Sequence, residues 1–285
     1  MTVRFHKYHG LGNDYLVIDP NVSPLDLTPD TIRLICDRHF GVGADGILFG
    51  PIKEGRSLKV RIFNPDGSKA EKSGNGLRIF ARYLFEHRYV ASKDFSIRTL
   101  GGTVQVHIQD QDASSIRIEM GRVTFRSTEI PVAGPDREVV SEDLEIGGQR
   151  YPVTCLSIGN PHCVIPMAEV TEAKARELGP FVENHVLFPN RINMQLLKVL
   201  DRQAIEIRIW ERGAGYTLAS GSSSCAAAAA AHRLGLVDSP IKVRMPGGEL
   251  LIEIDASGSV HMTGPVEPVM EGTLHPDLVG RLACT

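Results

Sequence analysis

The chain has 285 residues, with 31 Lys or Arg against 34 Asp or Glu, so its formal net charge at pH 7 is −3. This balance builds no strong positive field, which argues against nucleic acid or an anionic membrane as partner and favours a small molecule. The length suits two ordinary domains, each able to bury its own core. Since neither a leader pattern nor a membrane-length apolar run occurs, we expect a cytoplasmic protein.

The five cysteines are far apart in the chain. They form neither a CxxC motif nor the Cys/His spacing of a metal site, so we expect reduced, mostly buried thiols and no metal ion. These residues are Cys36, Cys155, Cys163, Cys225 and Cys284.

In the first half of the chain, strand and helix patterns alternate. LKVRIF (residues 58–63) predicts a strand, the turn-rich PDGSKAEKSG (65–74) a loop, and the segment from Leu77 to Phe85 a helix. FSIRTL (95–100) predicts a further strand, and the glycine pair after it predicts a turn.

The second half gives the same order of elements. AIEIRIW (204–210) predicts a strand, and the alanine-rich SSSCAAAAAAHRLGL (222–236) predicts a helix of high propensity. IKVRM (241–245) predicts another strand, again followed by a turn with two glycines. The alanines would let neighbouring strands approach the helix closely, which is a core role.

A repeat with a nearly constant offset connects the two halves. RIFNPDGSKAEKSG (61–74) aligns with RIWERGAGYTLASG (208–221), which places Ser73 against Ser220, 147 positions apart. The same offset pairs Gly12 and Asn13 with Gly159 and Asn160, and IRTLGG pairs with VRMPGG at 146. The repeat predicts two domains of similar architecture.

Each predicted helix begins beside a serine and a glycine. Serine is a favoured N-cap residue, and a cap is the plain structural interpretation of Ser73 and Ser220. The first N–H groups of a helix lack intrahelical partners and lie at the positive end of its dipole, where a carboxylate binds well. If the two helix starts faced one ligand, a proton could leave one face of a carbon and another could return to the opposite face.

Six motifs, taken in order, resemble the diaminopimelate epimerase family over nearly the whole chain. They are GLGNDYLVID (10–19), DRHFGVGADGIL (37–48), FNPDGS (63–68), SGNGLR (73–78), IGNPH (158–162) and WERGAGYT (210–217). The resemblance implies an α/β (α+β) fold of two pseudo-symmetric domains, each with a mixed or antiparallel sheet wrapped around a central helix. We assign residues 1–120 with 268–285 to the first domain and 121–267 to the second. The resemblance further implies an isomerase without cofactor or metal, acting as a homodimer on an amino acid.

In that family two cysteines act as base and acid on opposite faces of the α-carbon, and they match Ser73 and Ser220. Both positions are serine here. If the hydroxyl lies about five pKa units above a thiol, its deprotonation is roughly 7 kcal/mol harder, which corresponds to a rate on the order of 10⁵-fold lower unless a neighbouring group activates the serine.

The resemblance also implies roles for other positions. His162 and Glu211 match positions that adjust the pKa values of the two catalytic groups. Arg212 would bind the distal carboxylate through two parallel hydrogen bonds. Gly46 stands where some members carry glutamine, so it offers only backbone. The substrate-binding positions implied are Asn13, Gly46, Asn64, Gly74, Asn75, Asn160, Asn193, Glu211, Arg212, Gly221 and Ser222. The repeat pairs Asn13 with Asn160, Asn64 with Glu211, and Gly46 with Asn193.

Three hypotheses follow for the function. The first is epimerisation of LL- to meso-diaminopimelate, with serines that are natural or engineered; Tyr216 and the Ser222–Ser224 run, which also depart from the family pattern, favour natural divergence. The second is a related racemase or double-bond isomerase whose substrate has a more acidic proton. The third is a catalytically inactive ligand-binding protein.

Overall fold

A computed structural model of the chain describes residues 2–55 and 57–282. The chain divides into two compact units: the first holds residues up to 118 and from 264 onward, and the second is Glu119–Thr263. Through residue 122 the elements are β1 (Arg4–Gly10), β2 (Asn13–Ile18), α1 (Pro29–Cys36), β3 (Ile47–Glu54), β4 (Ser57–Phe63), β5 (Lys69–Ala70), α2 (Gly74–Glu86), β6 (Asp94–Thr99), β7 (Gly102–Ile108) and β8 (Ser115–Arg122). The remaining elements are β9 (Glu142–Ile146), β10 (Gln149–Ser157), β11 (Pro161–Pro166), α3 (Glu172–Glu183), β12 (Asn193–Asp201), β13 (Ala204–Glu211), β14 (Gly215–Thr217), α4 (Gly221–Arg233), β15 (Ile241–Met245), β16 (Gly248–Ile254), β17 (Ser259–Pro265), β18 (Glu267–Thr273) and α5 (Pro276–Leu282).

The strands of the first unit pair in the order β18, β1, β2, β3, β4, β6, β7 and β8. The β2/β3 and β4/β6 pairs are parallel, and the others are antiparallel. The short β5 pairs with the last residues of β4, beside the end at which the chain turns towards α2. This unit therefore has a mixed sheet.

The second unit repeats this topology. Its strands pair in the order β9, β10, β11, β12, β13, β15, β16 and β17, with β14 against the last residues of β13. Its two parallel pairs, β11/β12 and β13/β15, are the counterparts of β2/β3 and β4/β6. The predicted fold class and duplicated architecture are confirmed.

One 13-residue helix packs against the sheet of each unit: α2 in the first and α4 in the second. The buried face of α2 is built from bulky apolar residues such as Leu77, Phe80 and Leu84, whereas α4 buries the six alanines 226–231. Because alanine lacks a long side chain, α4 lies close to strands β10 to β13, β15 and β16. The core role predicted for the alanine run is therefore confirmed.

The main differences from the predicted helix limits are at the start of α2 and at the end of α4. Helix α2 begins at Gly74, three residues before the predicted Leu77, because the Ser73 side chain caps it despite two glycines in its first turn. Helix α4 ends at Arg233 instead of residue 236. Leu234 is its C-cap, and the positive φ of 70° at Gly235 stops the helical path.

The burial predicted for the cysteines holds where the structure describes them. Cys36, Cys155, Cys163 and Cys225 are all buried. Cys284 lies outside the described residues. Across residues 2–55 and 57–282, none of the helices is both long and apolar enough to cross a membrane.

Helix α3 of the second unit lies against the indole ring of Trp210 at Gly179. A Cβ atom added at Gly179 would lie 2.3 Å from Cδ2 of that ring. The ring is held in place because its Nε1–H donates to Glu183 on the same helix at 2.7 Å. Glu183 also accepts from the backbone N–H of Gly213, just after β13. Gly179 therefore sets how closely α3 approaches the strand that leads to the candidate site.

The substitution Gly179→Ala should lower the free energy of unfolding by about 1–3 kcal/mol, the usual cost of overpacking a core. The matched control is Gly280→Ala in α5, where nothing lies within 4 Å of the added Cβ. There, helix propensity alone should stabilise by up to about 1 kcal/mol. Urea denaturation measures both values, and equal effects at the two positions would contradict the proposed contact.

An ionic cluster joins β1, β2 and the connection before β3 in the first unit. Asp14, only 8% exposed, contacts Lys7 Nζ and Arg38 Nη2, each at 2.8 Å. Arg38 also reaches Asp45 at 2.7 Å, and Asp45 accepts from the Asn13 side chain at 2.9 Å. Burial raises the pKa of Asp14, but the hydrogen bonds and charges of Arg38 and Lys7 outweigh it and lower this pKa to about 2.

The pKa of Asp14 is lower in the folded chain than in the unfolded chain. Ionised Asp14 therefore stabilises the fold above about pH 4, and this stabilisation is lost as the pH falls towards 2. Its contribution to the free energy of unfolding is about 2 kcal/mol. The substitution Asp14→Asn should therefore flatten the curve of unfolding free energy against pH between 4 and 2. The exposed Asp112→Asn is the control and should leave that slope in place. Parallel curves for Asp14→Asn and the unsubstituted chain would refute the assignment.

Candidate active site

Ser73 is the N-cap of α2 in the first unit. Its backbone is extended, with φ −139° and ψ 120°, and its Oγ accepts from the N–H of Gly76 at 3.1 Å. Ser73 is half-buried, and its hydroxyl, which caps α2, lies at the positive end of the helix dipole. By helix geometry the N–H groups of Gly74 and Asn75 have no acceptor within α2. This end of the helix can therefore stabilise negative charge.

The hydroxyl of Tyr15 lies 3.1 Å from Ser73 Oγ. Tyr15 is in β2 and is only 6% exposed, so its phenol reaches Ser73 from within the unit. Its ring rests on Gly46, where an added Cβ would lie 2.6 Å from Cε1 of Tyr15 and 2.5 Å from the carbonyl oxygen of Phe63. Gly46 thus makes room for the tyrosine, and its own carbonyl accepts from the N–H of Leu16.

Asn13 and Asn75 are joined in one hydrogen-bonded chain. The Asn75 amide donates to Asn13 Oδ1 at 3.1 Å, and the Asn13 amide donates to Asp45. At the other end, the fully buried guanidinium of Arg78 donates to Asn75 Oδ1 at 2.8 Å. This series of hydrogen bonds fixes the orientation of both amides beside the start of α2.

Asn64 follows β4 and lies in a tight turn. Its side chain donates to Ser68 Oγ at 2.9 Å, and its backbone N–H donates to the backbone carbonyl of Ser68. Asn64 is half-buried, so its amide is fixed by the turn and still partly accessible.

In the second unit, Ser220 is the N-cap of α4. Its φ of −151° and ψ of 126° match those of Ser73 to within about 15°, and its Oγ accepts from the Ser223 N–H at 3.5 Å. Ser220 is more buried than Ser73. The backbone carbonyl of Ser220 accepts from the Ser224 hydroxyl at 2.8 Å, which strengthens the first turn. Both predicted serines thus occupy the same position on equivalent helices.

Glu211, the last residue of β13, lies beside Ser220. Burial raises the pKa of Glu211, and the hydroxyls of Ser220 and Thr217 oppose that rise. Within the described part of the chain, the buried Oγ1 of Thr217 has no hydrogen-bond partner, so its effect on Glu211 is weak at most. A carboxyl group whose pKa is raised is suited to exchanging a proton with a neighbouring hydroxyl.

His162 of β11 is fully buried and neutral. Burial lowers its pKa to about 3; the Gln195 side chain opposes this effect and the charge of Arg212 adds to it. Its Nε2–H donates to Asn160 Oδ1 at 2.9 Å, and the Asn160 amide donates to Ser222 Oγ at 3.4 Å. The remaining nitrogen, Nδ1, is buried and makes no hydrogen bond to any described residue.

Asn193 is the first residue of β12, and Arg212 directly follows β13, the neighbouring strand of the second unit. The buried Asn193 donates to the Pro161 carbonyl at 2.8 Å and accepts from the backbone N–H of Arg212 at 2.9 Å. The guanidinium of Arg212 is exposed, and its Nη1 donates to the Asn190 carbonyl. Because a guanidinium has five N–H donors, it retains enough to bind a carboxylate.

The two units match beyond the serines. The Asn13/Asn75 contact of the first unit has its counterpart in the Asn160/Ser222 contact of the second, each spanning 62 residues. Extending the offset of 147 pairs Tyr15 with His162. Sequence reasoning missed Tyr15, Thr217 and Gln195, although the offset could have identified Tyr15.

The predicted residues divide into two groups according to the unit in which they lie. The first group is Ser73, Gly74, Asn75, Asn13, Asn64 and Gly46; the second is Ser220, Gly221, Ser222, Asn160, His162, Asn193, Glu211 and Arg212. No set of three or more His, Cys, Asp or Glu in the described ranges is arranged to hold a metal ion. Each group combines a capped hydroxyl with a titratable neighbour and fixed amides.

Comparison with known proteins identifies the family. The family model described as diaminopimelate epimerase matches residues 5–126 and 154–269. The chain is 52% identical over 277 residues to diaminopimelate epimerase 2 of Nostoc sp. (strain PCC 7120), covering 97% of each protein. It is 42% identical to diaminopimelate epimerase of Stutzerimonas stutzeri, covering 95% of this chain and 99% of that protein.

Solved structures with lower identity share the fold. A hydroxyproline epimerase from Agrobacterium vitis superposes with a TM-score of 0.68 at 14% identity, covering 96% of this chain and 91% of that one. A phenazine biosynthesis protein from Bacillus anthracis also gives 0.68, at 16% identity, with 96% and 99% covered. The family model and the close relatives confirm the resemblance predicted from the motifs: the chain belongs to the diaminopimelate epimerase family of isomerases.

Proposed function

We propose that the chain epimerises the α-carbon of diaminopimelate without a cofactor, with the hydroxyls of Ser73 and Ser220 in the roles of the family's two thiols. The observation that carries this proposal is the shared position of both serines as N-caps of α2 and α4. There, the helix dipole and the first N–H groups favour an anionic ligand or a developing negative charge on Oγ.

The proposed reaction moves one proton on each face of the α-carbon. One serine oxygen takes the α-hydrogen, and the other serine delivers its hydroxyl proton to the opposite face. Each hydroxyl needs a neighbour that exchanges its own proton, because an alkyl hydroxyl alone is a weak acid and a weak base. Ser220 lies beside Glu211, whose raised pKa suits this exchange, and Ser73 lies beside the Tyr15 phenol.

We propose that the predicted polar residues bind the amino acid. Arg212 would bind the distal carboxylate, since its guanidinium is exposed and its backbone is held by Asn193. The helix N-termini would supply N–H groups to the other carboxylate. The remaining contacts are proposed for Asn13, Gly46, Asn64, Gly74, Asn75, Asn160, Asn193, Glu211, Gly221 and Ser222.

In deuterated water the chain should incorporate solvent hydrogen at the α-carbon of LL-diaminopimelate and produce the meso isomer. The rate should lie below that of the Ser73→Cys/Ser220→Cys variant, because a thiol ionises far more readily than a hydroxyl; about 10⁵-fold is the upper limit, reached if no neighbour activated the serines. Proton NMR measures the exchange, and chiral chromatography measures the inversion.

The controls separate the alternative functions. Binding of diaminopimelate with no exchange by the unsubstituted chain would exclude the proposed activity and identify a ligand-binding protein. Exchange with other amino acids, or with an unsaturated acid, but not with diaminopimelate would indicate a different racemase or a double-bond isomerase.

Arg212→Lys, which keeps the charge but loses the planar fork, should raise KM for diaminopimelate more than it lowers kcat.

We propose that the chain functions in the cytoplasm as a homodimer, as its family resemblance implies. Strand β18 is exposed along nearly its whole length, with Val269 and Met270 at 52% and 51% exposure. Light scattering during size-exclusion chromatography should give twice the chain mass of 31.1 kDa. Val269→Asp should shift the mass towards one chain, whereas Val22→Asp, at 55% exposure in the β2/α1 connection, should not. A single-chain mass for the unsubstituted protein would refute the dimer.

A further inference from the structure

The Tyr15 hydroxyl lies 3.1 Å from Ser73 Oγ inside the first unit. Ser73 Oγ already accepts from the Gly76 N–H, so its geometry is fixed by the cap before tyrosine contributes. The hydroxyl and the phenol are therefore held together by a helix start and a strand, both rigid elements. A contact between two rigid elements keeps the precise geometry that a proton transfer needs.

Gly46 shows that the position of the tyrosine depends on its packing. Any side chain at Gly46 would overlap the Tyr15 ring, which approaches within 2.6 Å of the ideal Cβ position. The ring is also almost completely buried, at 6% exposure. Because the ring is packed on Gly46, its hydroxyl has little freedom to move away from Ser73.

The two serines differ in their titratable neighbours. The repeat counterpart of Tyr15 is His162, but the ring of His162 contacts Asn160, and the group beside Ser220 is Glu211. The counterpart of Glu211 is Asn64, which cannot titrate. In the first unit Tyr15 therefore occupies the role that a carboxyl holds in the second.

We propose that Tyr15 is a positioning residue that donates its hydroxyl proton to Ser73 Oγ and thereby sets the reactivity of Ser73. This inference rests on the proposed function. When Ser73 delivers its hydroxyl proton to the substrate carbanion, the Tyr15 proton moves to Ser73 Oγ and a phenolate remains. In the reverse direction Ser73 Oγ takes the α-hydrogen, and its original proton returns to the phenolate. No other reactant is needed.

The relay lowers the cost of the step because a phenolate is a more stable anion than an alkoxide. A phenol has a pKa of about 10, several units below an alkyl hydroxyl. General acid–base assistance of this kind contributes about 10²- to 10⁴-fold in rate. The substitution Tyr15→Phe removes only the hydroxyl and keeps the ring on Gly46, so it should reduce kcat for hydrogen exchange by that factor and leave KM nearly unchanged.

A second readout does not depend on epimerase activity. In Ser73→Cys the introduced thiol serves as a titratable probe, and the pH dependence of its alkylation, followed by mass spectrometry on the peptide that contains position 73, gives its pKa. Adding Tyr15→Phe should raise the pKa of this thiol by about one to two units, because a hydrogen bond to the thiolate is lost. The matched control is Tyr8→Phe, which removes another buried hydroxyl, bonded to Glu86, and should leave the pKa of the introduced thiol unchanged.

The charged groups around position 73 are retained in each variant, so the comparison isolates the hydroxyl. They are Glu71, Lys72 and Arg78 on the same segment, and Asp14, Arg38 and Asp45 on β2 and in the connection to β3. If Tyr15→Phe left the pKa of the introduced thiol unchanged or lowered it, the inference would be overturned. A raised pKa together with no hydrogen exchange by the unsubstituted chain would refute the proposed activity while supporting the role of Tyr15 at this position.

Discussion

The hydrogen bond from a backbone N–H to a serine hydroxyl at the start of each central helix is the interaction on which the site depends. It fixes Ser73 at the first turn of α2 and Ser220 at the first turn of α4, each on an extended backbone. The same bond that starts the helix therefore orients the oxygen proposed for chemistry. The cap and the catalytic role are compatible, because the oxygen retains a second lone pair and its own proton.

Around these equivalent caps the two units carry different chemistry. In the first, the neighbour is a buried phenol packed on Gly46; in the second, it is a half-buried carboxyl whose pKa is raised. The amide contact joins equivalent positions in both units but runs in opposite directions: Asn75 donates to Asn13, whereas Asn160 donates to Ser222. The duplicated backbone thus preserves the positions of the groups, while the residue at each position determines how strongly a proton is held.

Much of this arrangement could be predicted from the sequence. The repeat predicted the shared topology, and the alternation of strand and helix patterns located α2 and α4 to within three residues. The start of α2 was missed because glycines 74 and 76 disfavour a helix by propensity, whereas the Ser73 cap overrides them. The contact of Tyr15 with Ser73 was also missed. It depends on the packing of a ring against Gly46 across neighbouring strands, and spacing along one chain segment does not show such a contact.

Single substitutions show whether both hydroxyls move protons. Ser73→Ala and Ser220→Ala each remove one hydroxyl at the cost of one N-cap, about 1 kcal/mol, which leaves the fold intact. With LL- and meso-diaminopimelate in deuterated water, we expect each variant to bind its ligand but no longer to convert one isomer into the other. Interconversion by both variants at the rate of the unsubstituted chain would show that neither hydroxyl moves a proton in the reaction.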